Sequence, residues 1–387
     1  MRRGPTGRYQ ITTTAGESVR AFVPDPLPPT PPPDLTGTRG RQLEHAVLAC
    51  GRLDGISGLL PDPDLFLYAY VRREAVLSSQ IEGTQSSLSD LLLFELDEAP
   101  GVPLDDVVEV SNYVAALEHG IELLRTGLPL SARMLREVHA KLLARGRGGD
   151  KLPGEFRRSQ NWIGGTRPGN ARFVPPPPEL VPEAIGALER YIHGKNAASV
   201  LVTAALAHVQ FETIHPFLDG NGRVGRLMIS LLLQQEKVLR QPLLYLSLYF
   251  KEHRAEYYRQ LDSVRQDGDW EGWLDFFLEG VSTTAGAAVD TAHRLLELFR
   301  ADEQRLTHRG RGAASTLRVY AALRARPVAT LQDLAARAQV TFPTASRAME
   351  AMVTVGIARE LTGQRRNRVF AYDAYLKVMN EGGEPLT

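Results

Sequence analysis

The chain has one cysteine, Cys50. Neither an internal disulfide nor a thiolate cage around a metal is therefore available to it, and nothing in it depends on an oxidising compartment. Charge of one sign is not in excess: 45 Lys and Arg stand against 45 Asp and Glu, so the whole chain carries no electrostatic footprint for nucleic acid. No apolar run approaches the roughly 18 residues that a membrane span requires, and the opening MRRGPTGRYQITTT has basic residues with no apolar segment behind them. A cytoplasmic location without membrane contact is the expectation. Internal repeats are missing too. What is there is an ordinary globular composition, 43% hydrophobic and 23% charged over 387 residues, with room for two or three domains that each bury a core.

FVPDPLPPTPPPDL is too rich in proline for helix or central strand, and residues 1–40 read as an extended arm. Beyond it, apolar residues recur at helical spacing almost throughout, with strand character confined to short pieces such as NWIGG and RFVP. The expected class is mainly α: a helical bundle with a small β-hairpin flap, closed where TRPGNA separates those two pieces. VLVTAALAHVQFETI and GRLMISLLLQQ are apolar nearly all round and belong at the centre of the bundle.

HRGRGAAS marks a linker into a C-terminal module. From Arg309 to Tyr372 the only acids are Asp333, Glu350 and Glu360, so this end is locally basic although the chain is neutral. TLQDLAARAQVTFPTASRAMEAMVTVGIARE reads as helix, short turn, helix, with Leu331, Leu334, Ala335 and Ala338 on one apolar face and Ala345, Ala348, Met349 and Met352 on the next. GQRRNRVFAY then reads as a hairpin wing, which completes a winged helix-turn-helix pattern. Arg347, Arg365, Arg366 and Arg368 are its candidate DNA contacts, although such modules also serve as protein docking units. The expected divisions are the arm at 1–40, a helical region at 41–105, the core at 106–285, a connecting helix and linker at 286–314, and the basic module at 315–387.

The chemistry is concentrated in HPFLDGNGRVGR, His215 to Arg226, at the joint between the two central helices. Gly220, Asn221 and Gly222 lead directly into an apolar helix, so their backbone N–H groups can form a nest at a positive helix N-terminus that favours an oligophosphate. Arg223 and Arg226, three apart, can both reach that phosphate. Asp219 is a single carboxylate beside it, which suits Mg²⁺, an ion that takes one or two protein oxygens together with phosphate oxygens. His215 is the natural general base for a hydroxyl nucleophile.

HPFLDGNGRVGR resembles, without departure, the signature of the Fic (filamentation induced by cAMP) family of AMP transferases. GEFRRSQNWIGG and ARFVPPPP resemble that family's flap, which places Ile163 and Gly164 beside the nucleotide and the target peptide. PLLYLSLYF and EYYRQLDSVRQDGDWEGWLDFFL resemble the helices that complete the nucleotide pocket, where the tyrosines matching Tyr257 and Tyr258 lie near the adenine; Arg265 stands where some relatives carry an asparagine. The resemblance covers about three quarters of the chain, and the bacterial members most like it also end in a winged helix. It implies ATP and Mg²⁺ as cofactors, with Asp219 as the metal ligand. It also implies transfer of AMP from ATP to a Ser, Thr or Tyr hydroxyl of a target protein, with auto-modification.

Upstream, SSQIEG places a lone Glu82 at a break between two amphipathic segments. Isolated glutamates usually end helices in solvent. The resemblance implies more, because Ser78, Glu82 and Gly83 satisfy the family's inhibitory motif, whose glutamate pairs with the second arginine of the signature, here Arg226. Three readings follow: a self-inhibited adenylyltransferase, the reverse enzyme that removes AMP with Glu82 aligning a water, and a DNA-binding regulator whose core is vestigial. The expected partners are ATP, target-protein hydroxyls, DNA through the basic module, and a second copy of the chain.

Overall fold

The computed structural model describes residues 2–59, 63–96, 103–194, 198–307, 312–364 and 367–385. The chain opens with strands β1 (Gly7–Thr14) and β2 (Glu17–Pro24), then runs through α1 (Gly37–Leu59), α2 (Pro63–Ile81), α3 (Leu88–Phe94), α4 (Leu104–Arg125) and α5 (Ala132–Leu142). A largely irregular stretch leads to α6 (Val181–His193), α7 (Val200–Ile214), α8 (Asn221–Gln235), α9 (Ser247–Glu252), α10 (Arg254–Asp267) and α11 (Trp270–Thr307). The last part is α12 (Ala313–Ala325), β3 (Val328–Thr330), α13 (Leu331–Arg337), α14 (Phe342–Thr354), β4 (Arg359–Glu360), β5 (Val369–Ala371) and α15 (Asp373–Asn380). The architecture is mainly α, as the spacing of apolar residues predicts.

The centre is α7, on which every residue from Leu201 to Ile214 is buried. A helix apolar on all sides can be stable only inside a bundle, and this one is surrounded by α6, α8, α10 and α11. Trp273 of α11 seals the contact by donating its indole N–H to Ala205 O at 2.9 Å. Among the described residues no helix is long and apolar enough to cross a membrane.

Three expectations need correction. Residues 1–40 are not simply an arm: β1 and β2 pair antiparallel from Gly7↔Pro24 to Thr14↔Glu17. Ala15 (φ 49°) and Gly16 (φ 80°) close them in the two left-handed positions that a two-residue hairpin turn needs. The strands escape a search for apolar alternation because β1 is mostly exposed and threonine-rich. The flap, in turn, is barely a hairpin, reduced to one antiparallel bridge between Ile163 and Phe173. It is steadied from outside, since Phe22 of β2 donates its N–H to Val174 O at 2.8 Å. Finally, the boundary expected at residue 285 falls inside α11, a single 38-residue helix that runs from the bundle to the C-terminal module without a break.

In that module β3, β5 and β4 form an antiparallel sheet in that order, and α13 and α14 follow one another across a four-residue connection. Leu331, Leu334 and Ala335 of α13, Ala338 just after it, and Ala345, Ala348, Met349 and Met352 of α14 are all buried, the two faces expected. Arg347 is exposed. Arg368 is not free, since it donates to Ser346 Oγ at 3.0 Å, and Arg365 and Arg366 lie outside the described residues. The module is fastened to α11 through Asp302, 3% exposed, which accepts from Tyr372 Oη at 2.6 Å and from Arg305 Nη1 at 2.7 Å. Tyr372→Phe removes a hydrogen bond to a buried carboxylate and should cost about 1.5–3 kcal/mol in urea unfolding of the full chain. A loss under about 0.5 kcal/mol would show that the module is held by apolar packing instead.

Candidate active site

α7 ends at His215, whose backbone is left-handed (φ 49°) while its N–H still bonds Phe211 O at 2.9 Å. That conformation is uncommon for a residue with a β-carbon, and strain of this kind persists only where the surroundings over-determine it. Arg157, 2% exposed, provides that constraint. Its Nε donates to His215 O at 2.9 Å, its backbone N–H to Pro216 O at 2.9 Å, and its Nη2 to Pro176 O at 2.5 Å, which staples the loop to the chain leaving the flap. Burial pulls the guanidinium down to about 10, against the opposing pull of the Glu179 charge.

Phe217 is fully buried and stacks on His139 with ring centroids 3.8 Å apart and planes 9° from parallel. The His139 ring accepts Gly154 N–H at Nδ1 (2.9 Å), so its Nε2–H donates to Asp219 O (3.1 Å). Burial draws this histidine down to about 4, which keeps it in that neutral tautomer. The Asn221 side chain closes the turn by exchanging two 2.9 Å hydrogen bonds with the backbone of Phe217. Asn221 is thus a brace for the loop as well as part of the nest. Gly220 takes φ 75° at the N-cap of α8.

The N-terminus of α8 is covered by a carboxylate of the chain itself. A β-carbon at position 222 would stand 2.4 Å from Glu82 Oε1, so Glu82 lies directly over Gly222 at the positive end of α8. The same oxygen accepts Arg226 Nη2 at 2.7 Å. Arg226 also donates Nε to Ser78 Oγ (2.8 Å) and Nη2 to Ser78 O (3.0 Å). The arginine side chain is 2% exposed and the glutamate 34%. Burial opposes ionisation of Glu82, but the charge and hydrogen bond of Arg226, with Arg223 and Arg254 behind it, outweigh that and hold its pKa below the ordinary value. Folded-state depression of a carboxyl means that its contribution to stability is complete above the unfolded-state pKa and is lost as pH falls through the lower folded value. The ion pair therefore persists across the neutral range. Gly83 (φ 104°) ends α2 immediately after it.

Arg223 is also committed. It pairs with Glu109 of α4 at 3.2 Å and lies 3.7 Å from Asp219 Oδ1. Asp219 keeps 43% of its side chain exposed and accepts Gly220 N–H at 2.6 Å. Among the described residues no three His, Cys, Asp or Glu side chains come together as a metal cage. A single open carboxylate at the N-terminus of a helix is a donor that Mg²⁺ shared with phosphate oxygens could use. His215 is half-buried, and burial, reinforced by the nearby Arg157 charge, lowers it to about 3.

The remaining predicted residues fall on two sides of this centre. Tyr257 is 1% exposed, hydrogen-bonded through its hydroxyl to His208 Nε2 at 2.8 Å, stacked on His208 and Phe250 and tilted against Trp273. Tyr258 is half-buried, with Arg254 near its ring. Ile163 is half-buried in the flap bridge, and Gly164 is exposed beside it. Arg265 packs over Phe173 of the flap at 4.2 Å and pairs with Asp262 at 2.5 Å; Asp262 also holds Arg172 of the flap. Sequence reasoning misses Arg157, His139, Glu109 and Glu212. Glu212 is buried, pushed up to about 7 by that burial, and directed at Gly225, where a β-carbon would stand 2.4 Å from its Oε1. Only its place one helical turn before His215 could have drawn attention to it.

Residues 40–122 match the Fic/DOC family N-terminal model and residues 129–233 the Fic/DOC family model. The chain is 28% identical over 191 residues to a probable protein adenylyltransferase of Aquifex aeolicus, a match covering 48% of this chain and 54% of that one. It is 28% identical over 233 residues to the protein adenylyltransferase Fic of Aedes aegypti, covering 59% and 41%. The chain thus spans about half the length of these relatives. A Fic family protein from Desulfovibrio desulfuricans superposes with TM-score 0.57 at 20% identity over 90% of this chain and 98% of that one. Fic-1 from C. elegans gives 0.51 at 21% identity over 65% and 72%. The fold is that of the Fic proteins.

The Ser78 contact can be tested without any substrate. Ser78→Ala leaves the buried Nε of Arg226 without an acceptor and should cost about 1–3 kcal/mol in denaturant unfolding; a change within about 0.5 kcal/mol would mean that Ser78 does not carry the arginine.

Proposed function

We propose that this chain, which carries the two domains of the Fic/DOC family, is a self-restrained protein adenylyltransferase that moves AMP from ATP to a Ser, Thr or Tyr hydroxyl of a protein, itself included. One observation carries the reading: an intact HPFLDGNGRVGR loop whose anion nest and second arginine are both occupied by Glu82. A site that recruits an internal carboxylate at its most cationic point is built for an anion.

In the active state the triphosphate takes the place of the carboxylate. The backbone N–H groups at Gly220–Gly222 and the Arg223 and Arg226 guanidinia bind and orient it, and Arg226 meets the terminal phosphate. Asp219 would hold Mg²⁺, which would neutralise phosphate charge. His215 takes the proton of the target hydroxyl as its oxygen attacks the α-phosphorus; the bond to the bridging oxygen breaks and pyrophosphate leaves. A base lowered to about 3 is neutral at working pH but weak. Arrival of phosphate negative charge next to it raises its basicity, so substrate binding prepares the base. Glu82 on Arg226 prevents this by denying the phosphate its cation.

The order α12, β3, α13, α14, β4, β5 supports a winged helix-turn-helix reading of the C-terminal module, with exposed Arg347 as the residue best placed for DNA. The reverse reaction uses the same His215 and would use Glu82 to align a water; release of labelled AMP from a modified protein separates it from transfer.

The deciding experiment incubates the chain with labelled ATP and Mg²⁺. His215→Ala should abolish transfer while nucleotide binding persists, because the phosphate contacts belong to the nest and the arginines. Glu82→Gly should raise transfer about tenfold, equivalent to about 1.4 kcal/mol of barrier, and adding Arg226→Ala should return it to the restrained level. An unchanged rate in Glu82→Gly would reduce SSQIEG to a helix end. The free-enzyme kcat/KM profile should also lack an acid limb near 6.5, the ordinary histidine value; a limb there would mean that His215 titrates normally and that the assigned burial is wrong.

A further inference from the structure

We infer that the last turn of α2, which carries the Glu82 clasp, is held in place by a peptide-binding groove between α2 and α9 whose ligand is the chain's own segment Glu381–Glu384. The inference rests on the proposed restraint only for its consequence in activity. The groove is built from side chains that are almost wholly buried yet point at backbone carbonyls more than 100 residues away: Arg73 at 4% exposure, Gln80 at 1% and Lys251 at 4%. Arg73 Nη2 donates to Glu381 O at 2.5 Å, Lys251 Nζ to Gly382 O at 3.0 Å and also to Glu384 O, and Gln80 Nε2 to Gly383 O at 2.9 Å. Four consecutive carbonyls are thus read by three buried donors, two of them cationic. Hydrogen bonds from charged donors are stronger than neutral ones, and leaving such donors buried and unmet is costly. The segment also makes a bidentate ion pair between Glu381 and Arg294 of α11, at 2.6 Å for both bonds.

The groove selects glycine. Gly382 sits at φ 72°, and a β-carbon on it would stand 2.9 Å from Leu248 Cδ1 of α9. Gly383 follows and turns the chain back on Asn380 O at 2.8 Å. A bulkier residue at 382 would be strained and would also clash.

The link to the clasp is short. Gln80, which holds Gly383 O, also donates to Ser86 O at 2.9 Å, and so spans the turn in which Glu82 sits. In that turn the N–H groups of Glu82, Gly83 and Thr84 bond back to Ser79 O (3.0 Å), Gln80 O (3.1 Å) and Ser79 O (3.3 Å). The C-terminal module grips the same helix a second time, with Arg326 stacked 3.7 Å over Tyr68. Whatever moves that module or draws off the Glu-Gly-Gly-Glu segment loosens α2 next to Arg226.

Hydrogen exchange of the full chain tests the groove directly, because it does not depend on activity. Gly382→Val expels the segment from one side and Lys251→Met removes a donor from the other without altering any backbone preference, which guards against a folding failure of the first variant. Each should speed exchange of the Glu82, Gly83 and Thr84 amides at least tenfold, with the α7 and α8 amides unchanged, and each should raise AMP transfer towards the Glu82→Gly level. Exchange at 82–84 that stays at the wild-type rate in both variants overturns the inference, even if Glu82→Gly activates. Faster exchange together with an inert Glu82→Gly keeps the groove and discards the restraint.

Discussion

A guanidinium with 2% of its side chain exposed is the constraint around which this molecule is arranged. Arg226 is placed on the second turn of a central helix, near the positive end of that helix, where its own charge is disfavoured by both burial and the dipole. It can remain there only if an anion is always present. Glu82 is that anion, assisted by the hydroxyl and carbonyl of Ser78. Glu82 follows directly on the end of α2, Gly83 after it is at φ 104°, and Ser78 is fully buried against Arg226.

The two halves of the site are held with different firmness. The loop from His215 to Asn221 is fixed by contacts that no substrate replaces: Arg157 on the strained backbone of His215, His139 stacked on Phe217, and the Asn221 amide across the turn. The Glu82 contact is of another kind, made by a carboxylate with 34% of its side chain exposed. Glu82 thus meets the His215–Arg226 loop through Arg226 and Gly222 alone, while the loop itself is held at several points along its length.

Much of this is legible in the sequence because the relevant signals are local. A run apolar on every side announces a central helix, and α7 is one. Gly, Asn and Gly before an apolar run announce a helix N-terminus, and α8 begins there with Gly220 as its N-cap. The strands β1 and β2 are not legible in that way: they alternate little, are rich in threonine and arginine, and pair to brace a flap that lies about 150 residues on. α11 hides the expected boundary at residue 285 for the opposite reason, because its helical periodicity continues unbroken while its packing partners change from α1, α7, α9 and α10 to α12 and α15.

By itself the sequence determined the helical class, the residue types gathered in the His215–Arg226 loop and the presence of a carboxylate motif upstream, the last two each a matter of a dozen positions or fewer. Tertiary structure alone decided that Glu82 rests over Gly222, that Glu109 holds Arg223, that Arg157 holds the strained His215, and that Arg73, Gln80 and Lys251 receive a segment some 130 to 300 residues away. These are pairings of charge and hydrogen bond across distant elements. Periodicity specifies which face of a helix is buried, but the partner a buried charge finds depends on which other helix is packed against that face.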